Sequence, residues 1–388
     1  MATLASPHAS TVESIQQARA RRAAALRSAL APAGVDALLI SRPCDILYLT
    51  GFCGHDSVLL VSGSAAALLS DNRYGTQLNP VRQEGLAEVV IGVRHRLPDS
   101  LPDLVRRHSI RHLGVQSEHL TVAWKQNLEK VLSNVTVKPT SGLVERLRMR
   151  KDAGEIAAME HAIAINEQAL AATLPQIEPG LRECEILAIL DYEMKRRGAF
   201  AAGFRQIIAV GPNGALPHYE TADEKVRANS SLLIDWGTTA EGYNADMTRT
   251  FGVESMPPKV EEIYRIVLDA QMAAIDAIRP GRTCAEIDAV ARDFITRAGY
   301  GQYFGHGLGH GIGLEVHEAP FFNNLQTDVI LEPGITMTVE PGIYLPGVGG
   351  VRIEDNIVVT DTGCRVLTGF PKDPRSAILT PGVAAASN

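Results

Sequence analysis

A chain of 388 residues with 45% hydrophobic side chains is long enough for two domains with sizeable cores, which excludes a disordered chain as the default. Its formal charge of −7, with acids and bases interspersed, gives no reason to expect nucleic acid or an anionic membrane as partner and leaves small molecules or peptides. Five scattered cysteines, odd in number and without close metal-ligand pairs, point to a reducing cytoplasm, and no apolar run is long enough to span a bilayer.

The first helix is expected from Glu13 to Ala33, stopped by Pro32 and Gly34. Arg19, Arg21, Arg22 and Arg27 among alanines suggest a transit peptide by composition, but Leu26 and Leu30 form the apolar stripe of an ordinary helix. The period then changes: DALLIS (36–41), SVLLVS (57–62), AAALLS (65–70) and AEVVIG (87–92) are short apolar runs bounded by Gly, Ser or Asp. Helical patterns cover 72–84, 98–108 and 121–132, with another strand near NVTVK (134–138). These elements make a mixed α/β domain over residues 1–140, ending in the turn cluster Pro139–Gly142. The basic run RLRMRK (146–151) reads as an exposed linker or the lead-in to a helix, and residues 141–388 form the second domain.

That second domain repeats itself. Helical stretches at 152–174 and 182–198 precede strands, and stretches at 257–278 and 283–298 precede strands again. Pro179-Gly180 and Glu185-Ile186 match Pro280-Gly281 and Glu286-Ile287 at an offset of 280 − 179 = 101, and Gly198 and Gly299 keep the same shift. Two α-α-β units facing each other leave a central cleft, where binding sites form. SLLIDWG (231–237) carries Asp235 and NADMTRTF (244–251) carries Asp246, and a turn near Ala240–Gly242 sets them nearly opposite, with Cβ atoms about 5 Å apart. In YFGHGLGHGIGLEVHE, the imidazoles of His306, His310 and His317 sit among glycines that each cost a helix about 1 kcal/mol, so the segment reads as a loop presenting imidazoles. The second half repeats the acid pairing, with Glu340 ending ITMTVEPG, Glu354 inside VRIEDNIVV and PGVGG (346–350) as the turn.

Each acid taken singly is a hydrogen-bonded or capping carboxylate. Four carboxylates paired alike in both halves, with an imidazole beside them, instead fit two divalent ions about 3.5–4 Å apart sharing bridging ligands. Oxygen-rich ligation with one nitrogen suits Mn2+ first, with Co2+, Fe2+ or Zn2+ as alternatives.

Asp235 and Asp246 in DWG and NADMTRT, His310 in HGLGHGIG, Glu340 in VEPGIY and Glu354 in VRIED together resemble the pita-bread metallopeptidases, the group of methionine aminopeptidase, aminopeptidase P and prolidase. The resemblance spans roughly Leu147 to Leu367, and LYLTGF and LLSDNRY make the N-terminal domain look like that of the proline-specific, creatinase-like branch. It implies an α/β (α+β) fold, a mixed α/β N-terminal domain followed by a pseudo-twofold pita-bread catalytic domain. It further implies that Asp235 chelates one metal, that Asp246 and Glu354 bridge both, and that His310 and Glu340 complete the shell, with Glu340 also moving a proton. His218 in VGPNGALPHY, His306 and His317 in LEVHE resemble the active-site histidines of that group, and Arg352 resembles an arginine beside its last glutamate. Thr248 reads as a hydrogen-bond donor to the ligands and Arg249 as a structural ion-pair partner, while Tyr344 either lines the pocket or packs. Two departures, RANSSLL before the first acidic strand and the bulky Tyr219 after His218, bear on the substrate, because Tyr219 is expected near the pocket.

The implied activity is hydrolysis of the Xaa-Pro bond of dipeptides or short peptides through a metal-bridging hydroxide, by a homodimer. One alternative is a metal-dependent hydrolase of a small non-peptide amide, creatinase-like or ectoine-hydrolase-like. Another is a non-catalytic peptide-binding protein, whose expected sign is ligand loss; all five ligand positions are filled.

Overall fold

In the computed structural model, which describes residues 13–92 and 99–380, the chain begins with α1 (Ile15–Leu30). Ser14 and Gln17 cap it reciprocally, each side chain accepting from the other's backbone N–H. Ala18, Arg22, Leu26 and Leu30 recur every fourth residue on its buried face. Arg22 belongs there because its guanidinium donates to the Tyr48 carbonyl and lies 4.3 Å over the Tyr48 ring.

Six strands follow as one mixed sheet: β1 (Ala37–Ile40), β2 (Val58–Ser62), β3 (Ala66–Asp71), β4 (Glu88–Gly92), β5 (His112–Gln116) and β6 (Thr136–Thr140), in the order β4-β3-β2-β1-β5-β6. Between them run α2 (Pro43–Thr50), α3 (Asn79–Glu84), α4 (Leu101–Arg107) and α5 (Val122–Val131). The helix expected over 72–84 is instead a single 3-10 turn at Asn72–Tyr74 and the short α3, because the Asp71 carboxylate takes the Arg73 N–H and closes a local turn. The first expected residue of α4, Pro98, lies outside the described residues. The basic run is no exposed linker: α6 (Glu145–Met149) carries Arg148, which is 2% exposed and pairs at 2.8 Å with the fully buried Asp45. The chain accordingly divides after Arg148, and everything from Met149 onward forms a second compact unit.

In that unit α7 (Ala153–Thr173) and α8 (Glu183–Arg196) precede the strands β7 (Ala201–Ala202), β8 (Ile207–Val210), β9 (Ser230–Ala240) and β10 (Tyr243–Val253). Then α9 (Pro258–Ala277) and α10 (Cys284–Arg297) precede β11 (Gly309–Gly311), β12 (Glu318–Phe322), β13 (Thr336–Val339), β14 (Gly342–Leu345), β15 (Gly349–Arg352), β16 (Asp355–Val359), β17 (Cys364–Val366) and β18 (Ile378–Leu379). The starts of α8 and α10 are 284 − 183 = 101 residues apart. Gly180 and Gly281 take the left-handed conformation ahead of them, and Glu185 and Glu286 cap them at the third position, so the repeated sequence is a repeated way of starting a helix.

Each half has its own core. Leu170, Ile186 and Leu190 pack with Ile208, Ile234 and Trp236 in the first half, and Val267, Ile287 and Ala291 with Met337, Val339 and Ile357 in the second. Asn166 locks α7 to β9 by accepting from Thr238 and exchanging hydrogen bonds with Trp236. The two halves join where the Asn356 side chain hydrogen-bonds the Asp246 backbone and the Glu354 N–H donates to the Thr248 carbonyl. Among the described residues no helix is long and apolar enough to cross a membrane.

Arg249 is the structural partner the sequence suggests. Its guanidinium, 1% exposed, pairs at 2.8 Å with the equally buried Asp355 and donates to the carbonyls of Glu354, Phe370 and Pro371. Removing the guanidinium leaves Asp355 with Lys372 as its remaining cation and the buried carbonyl of Glu354 without its donor, so Arg249→Met should cost about 1–3 kcal/mol in equilibrium urea unfolding. A loss below about 1 kcal/mol, the range of an exposed pair, would mean the pair does not hold the halves together.

Candidate metal centre

The site is assembled by two hairpins. Between β9 and β10 the turn is Glu241-Gly242, both with positive φ, which suits the twist of a two-residue hairpin. This register sets Thr248 opposite Asp235 and Gly237 opposite Asp246, so the two aspartates lie diagonally on one face, two residues from the opposed arrangement expected. In the other half, the pairs Val339–Asp355 and Gly342–Arg352 belong to one continuous register, and Glu340 and Glu354 fall opposite each other in the gap between them. Their N–H groups leave the ladder for the carbonyls of Leu308 and Thr248.

His310 is on a strand, not in a loop. The three residues of β11 lie between β12 and β13, with a bulge at His310-Gly311. Glycine is required beside it for closeness: a Cβ on Gly309 would lie 2.1 Å from the Thr338 carbonyl oxygen. His310 Nδ1–H donates to the Gly311 carbonyl at 3.0 Å, which fixes the tautomer and turns the Nε2 lone pair toward Glu340, 3.4 Å away, and Asp246, 3.6 Å away.

The nine side chains that the resemblance makes ligands or active-site groups line one cavity of about 430 Å³: His218, Asp235, Asp246, His306, His310, His317, Glu340, Arg352 and Glu354. Donor atoms of Asp246, His310 and Glu354 all lie within 4.8 Å of one another. Asp235 Oδ1, Asp246 Oδ1 and Glu354 Oε1 are buried there without a hydrogen-bond partner, unusual for carboxylate oxygens and apt for a cation. Burial and mutual repulsion raise the carboxyl pKa of Asp246 and Glu354, and burial pushes Glu340 up to about 8 against the pull of Arg352. Burial and the neighbouring His317 lower His310 to about 3, leaving it the neutral imidazole that ligation requires.

Around the acids runs one hydrogen-bonded chain. Arg352, 4% exposed, donates to Asp235, to the Thr248 hydroxyl and to the Tyr344 phenol. Thr248 donates onward to Glu354 at 2.7 Å, the role its position suggests. Tyr344, for which lining and packing are both open in the sequence, donates to His306 Nε2 at 2.8 Å, while His306 Nδ1–H is held by the Gly307 carbonyl. Burial lowers His306 to about 4, so it accepts as a neutral ring. The His317 ring centroid is 4.1 Å from that of His310, and exposed His218 faces the same cavity.

Two supports have no signal in the sequence. Lys151 pairs with Glu318 in the interior, beneath the turn that carries His317. Glu183, fully buried without a cation, accepts from the N–H groups of Val210 and Ala222, the Asn213 amide and the Tyr219 phenol, and so ties down the segment bearing His218. A glutamate in the first turn of a helix ordinarily answers the helix dipole, and nothing in its neighbours shows that this one turns inward. Tyr219 therefore points to Glu183 and lines an adjoining cavity, not the one that holds the acids.

Two facing α-α-β halves with acids and an imidazole buried between them define the pita-bread class of hydrolase. Residues 157–361 match Metallopeptidase family M24 and residues 22–150 match the Creatinase/Prolidase N-terminal domain. The chain belongs to this metallopeptidase family, whose chemistry uses divalent metal ions. It is 35% identical over 335 residues to an Xaa-Pro dipeptidase of Pyrococcus horikoshii, covering 86% of this chain and 93% of that protein. A solved Xaa-Pro dipeptidase from Bacillus anthracis shares the fold with a TM-score of 0.88 at 38% identity, covering 93% of this chain and 100% of that one. An X-Pro aminopeptidase from Thermotoga maritima MSB8 gives 0.83 at 36% identity, covering 90% and 99%.

Removing the phenol from Glu183 tests the anchor. Tyr219→Phe should cost about 1 kcal/mol, one buried hydrogen bond, and lower the melting temperature by about 2–4 °C for a unit of this size. An unchanged melt would show that the phenol holds nothing.

Proposed function

We propose that this chain is an Xaa-Pro peptidase, a dipeptidase or aminopeptidase of short peptides, and that Asp235, Asp246, His310, Glu340 and Glu354 hold two divalent ions. The observation that carries the metal assignment is the set of three buried carboxylate oxygens without partners around the free lone pair of His310. Manganese fits a donor set of four carboxylates and one imidazole. The substrate follows from the relatives named above, and the site offers a reason: Phe204, Pro217, Phe321 and Phe322 give it an apolar wall for a pyrrolidine ring. A bond before proline is a tertiary amide without an N–H, so a site for it relies on shape, and the trans isomer is the one it would fit.

When bound, a pair of divalent ions polarises a carbonyl and makes water acidic enough to ionise near neutral pH. The protein supplies the rest. Glu340, opposite Glu354, takes and returns the proton. His317 and His218 donate to the oxygen as charge develops on it and to the leaving nitrogen. Arg352 orients Asp235, and through Tyr344 it holds His306 as a neutral ring at the wall of the site. A homodimer belongs to the same proposal by family resemblance, and a cytoplasmic location by the five free cysteines.

Metal analysis of dialysed protein titrated with manganese should saturate near two ions per chain, and the loaded enzyme should cleave Ala-Pro and a longer Xaa-Pro peptide but not a matched Xaa-Ala peptide or small amides. Saturation at zero, or turnover confined to small amides, would end this reading.

His317 separates a ligand from a donor. As a donor, His317→Ala should keep both ions and lose about 10²–10³ in kcat with KM changed much less. Loss of a metal in step with activity would move the residue among the ligands.

A further inference from the structure

The hairpin that carries Glu340 and Glu354 is broken where those two residues face each other. Its pairs run from Thr336–Val358 to Val339–Asp355, stop, and resume at Gly342–Arg352 in the same register. Continued through the break, that register sets Pro341 opposite Ile353. Proline has no N–H to donate, so the carbonyl of the fully buried Ile353 cannot be answered across the hairpin, and a buried carbonyl is seldom left without a donor.

The donor comes from α9. Gln271 is 0% exposed there, among the buried Val267, Ala270 and Ala274, a setting that is costly for an amide unless its polar atoms are used. All of them are. Nε2 donates to the carbonyls of Ile353 at 3.1 Å and Val339 at 3.0 Å, with the Asp355 carboxylate also at 3.1 Å, and Oε1 accepts from Lys372. Val339 and Ile353 immediately precede Glu340 and Glu354 in the chain. The backbone at Glu354 is further held by Arg249 on its carbonyl and by Thr248 on its N–H, and that at Glu340 by Leu308 on its N–H. Of these groups Gln271 alone reaches both arms of the break, and it does not line the cavity. Ligands that share ions must keep their places to within about 0.5 Å, and a gap in a ladder is where two strands are free to splay.

Resting on the metal assignment above, we propose that Gln271 is a positioning residue for the metal centre. Its amide takes the place of the N–H that Pro341 lacks and fixes the spacing of Glu340 and Glu354, so that the two carboxylates can share the ions. It acts through the backbone, from outside the cavity.

The test measures manganese binding by isothermal titration calorimetry on the metal-free full chain, with thermal melts of the same preparations, for wild type, Gln271→Met, Gln271→Asn and Lys372→Met. Gln271→Met keeps the length of the side chain and removes both donors; manganese should bind about 10–100-fold more weakly, the usual cost of losing an outer partner of a ligand set. Gln271→Asn holds its amide one methylene short of the carbonyls and should weaken binding in the same direction, which carries the test if Gln271→Met does not fold. Lys372→Met loosens the same buried cluster without removing a donor to either carbonyl, so it should lower the melting temperature and leave manganese affinity close to that of wild type. Wild-type affinity in the folded Gln271 variants, or an equal loss in Lys372→Met, would overturn the proposal and return the amide to a packing role. No manganese binding by wild type would instead overturn the metal assignment on which it rests.

Discussion

Four carboxylates crowded into a cavity of the protein interior repel one another, and one buried guanidinium, Arg352, answers them. Burial raises the pKa of Asp246, Glu340 and Glu354 for the same reason that it makes them valuable: water is not there to screen them. The surrounding fold is what keeps such a cluster from relaxing. Every residue of β10 is buried, α7 and α8 close one side, and the other half of the pseudo-twofold unit closes the other. Arg249 and Asp355, one residue along from Thr248 and Glu354, neutralise each other on the opposite face of the same strands and clamp the halves around the site.

Neighbouring residues on a strand thus divide two tasks. Odd and even positions of β10 face opposite ways, so Asp246 and Thr248 serve the cavity while Arg249 serves the scaffold. The histidines divide in a similar way. Each of His306 and His310 gives one ring nitrogen to a backbone carbonyl; the other nitrogen of His310 faces the acids and that of His306 accepts from Tyr344, whereas His218 and His317 stay on the accessible side.

Much of this is legible in the sequence because it rests on local signals. An aspartate inside an apolar strand stands out, and the 101-residue repeat is a pair of capped helix starts, which are encoded by adjacent residues. What is not legible depends on register or on distant partners. A two-residue turn at Glu241-Gly242 instead of Ala240-Glu241 moves the register by two and takes Asp246 off the position opposite Asp235, and no residue in the hairpin announces the difference. His310 becomes part of a strand because Thr338 accepts it into a sheet, against the propensity of its flanking glycines. Glu183 and Tyr219 look like a dipole residue and an intruder on the pocket; only the folded chain shows that they are partners.

The buried pair of Arg148 and Asp45 has a practical consequence for anyone dissecting the chain. A cut at 140/141, where the turn-forming residues invite one, removes from the N-terminal piece the cation that neutralises an aspartate in its interior. The severed piece would carry an unanswered charge under α2 and misbehave for a reason unrelated to its sheet. A cut beyond α6 keeps donor and acceptor on the same fragment, so the electrostatics of a single side chain, more than the placement of turns, decides where this polypeptide can be divided.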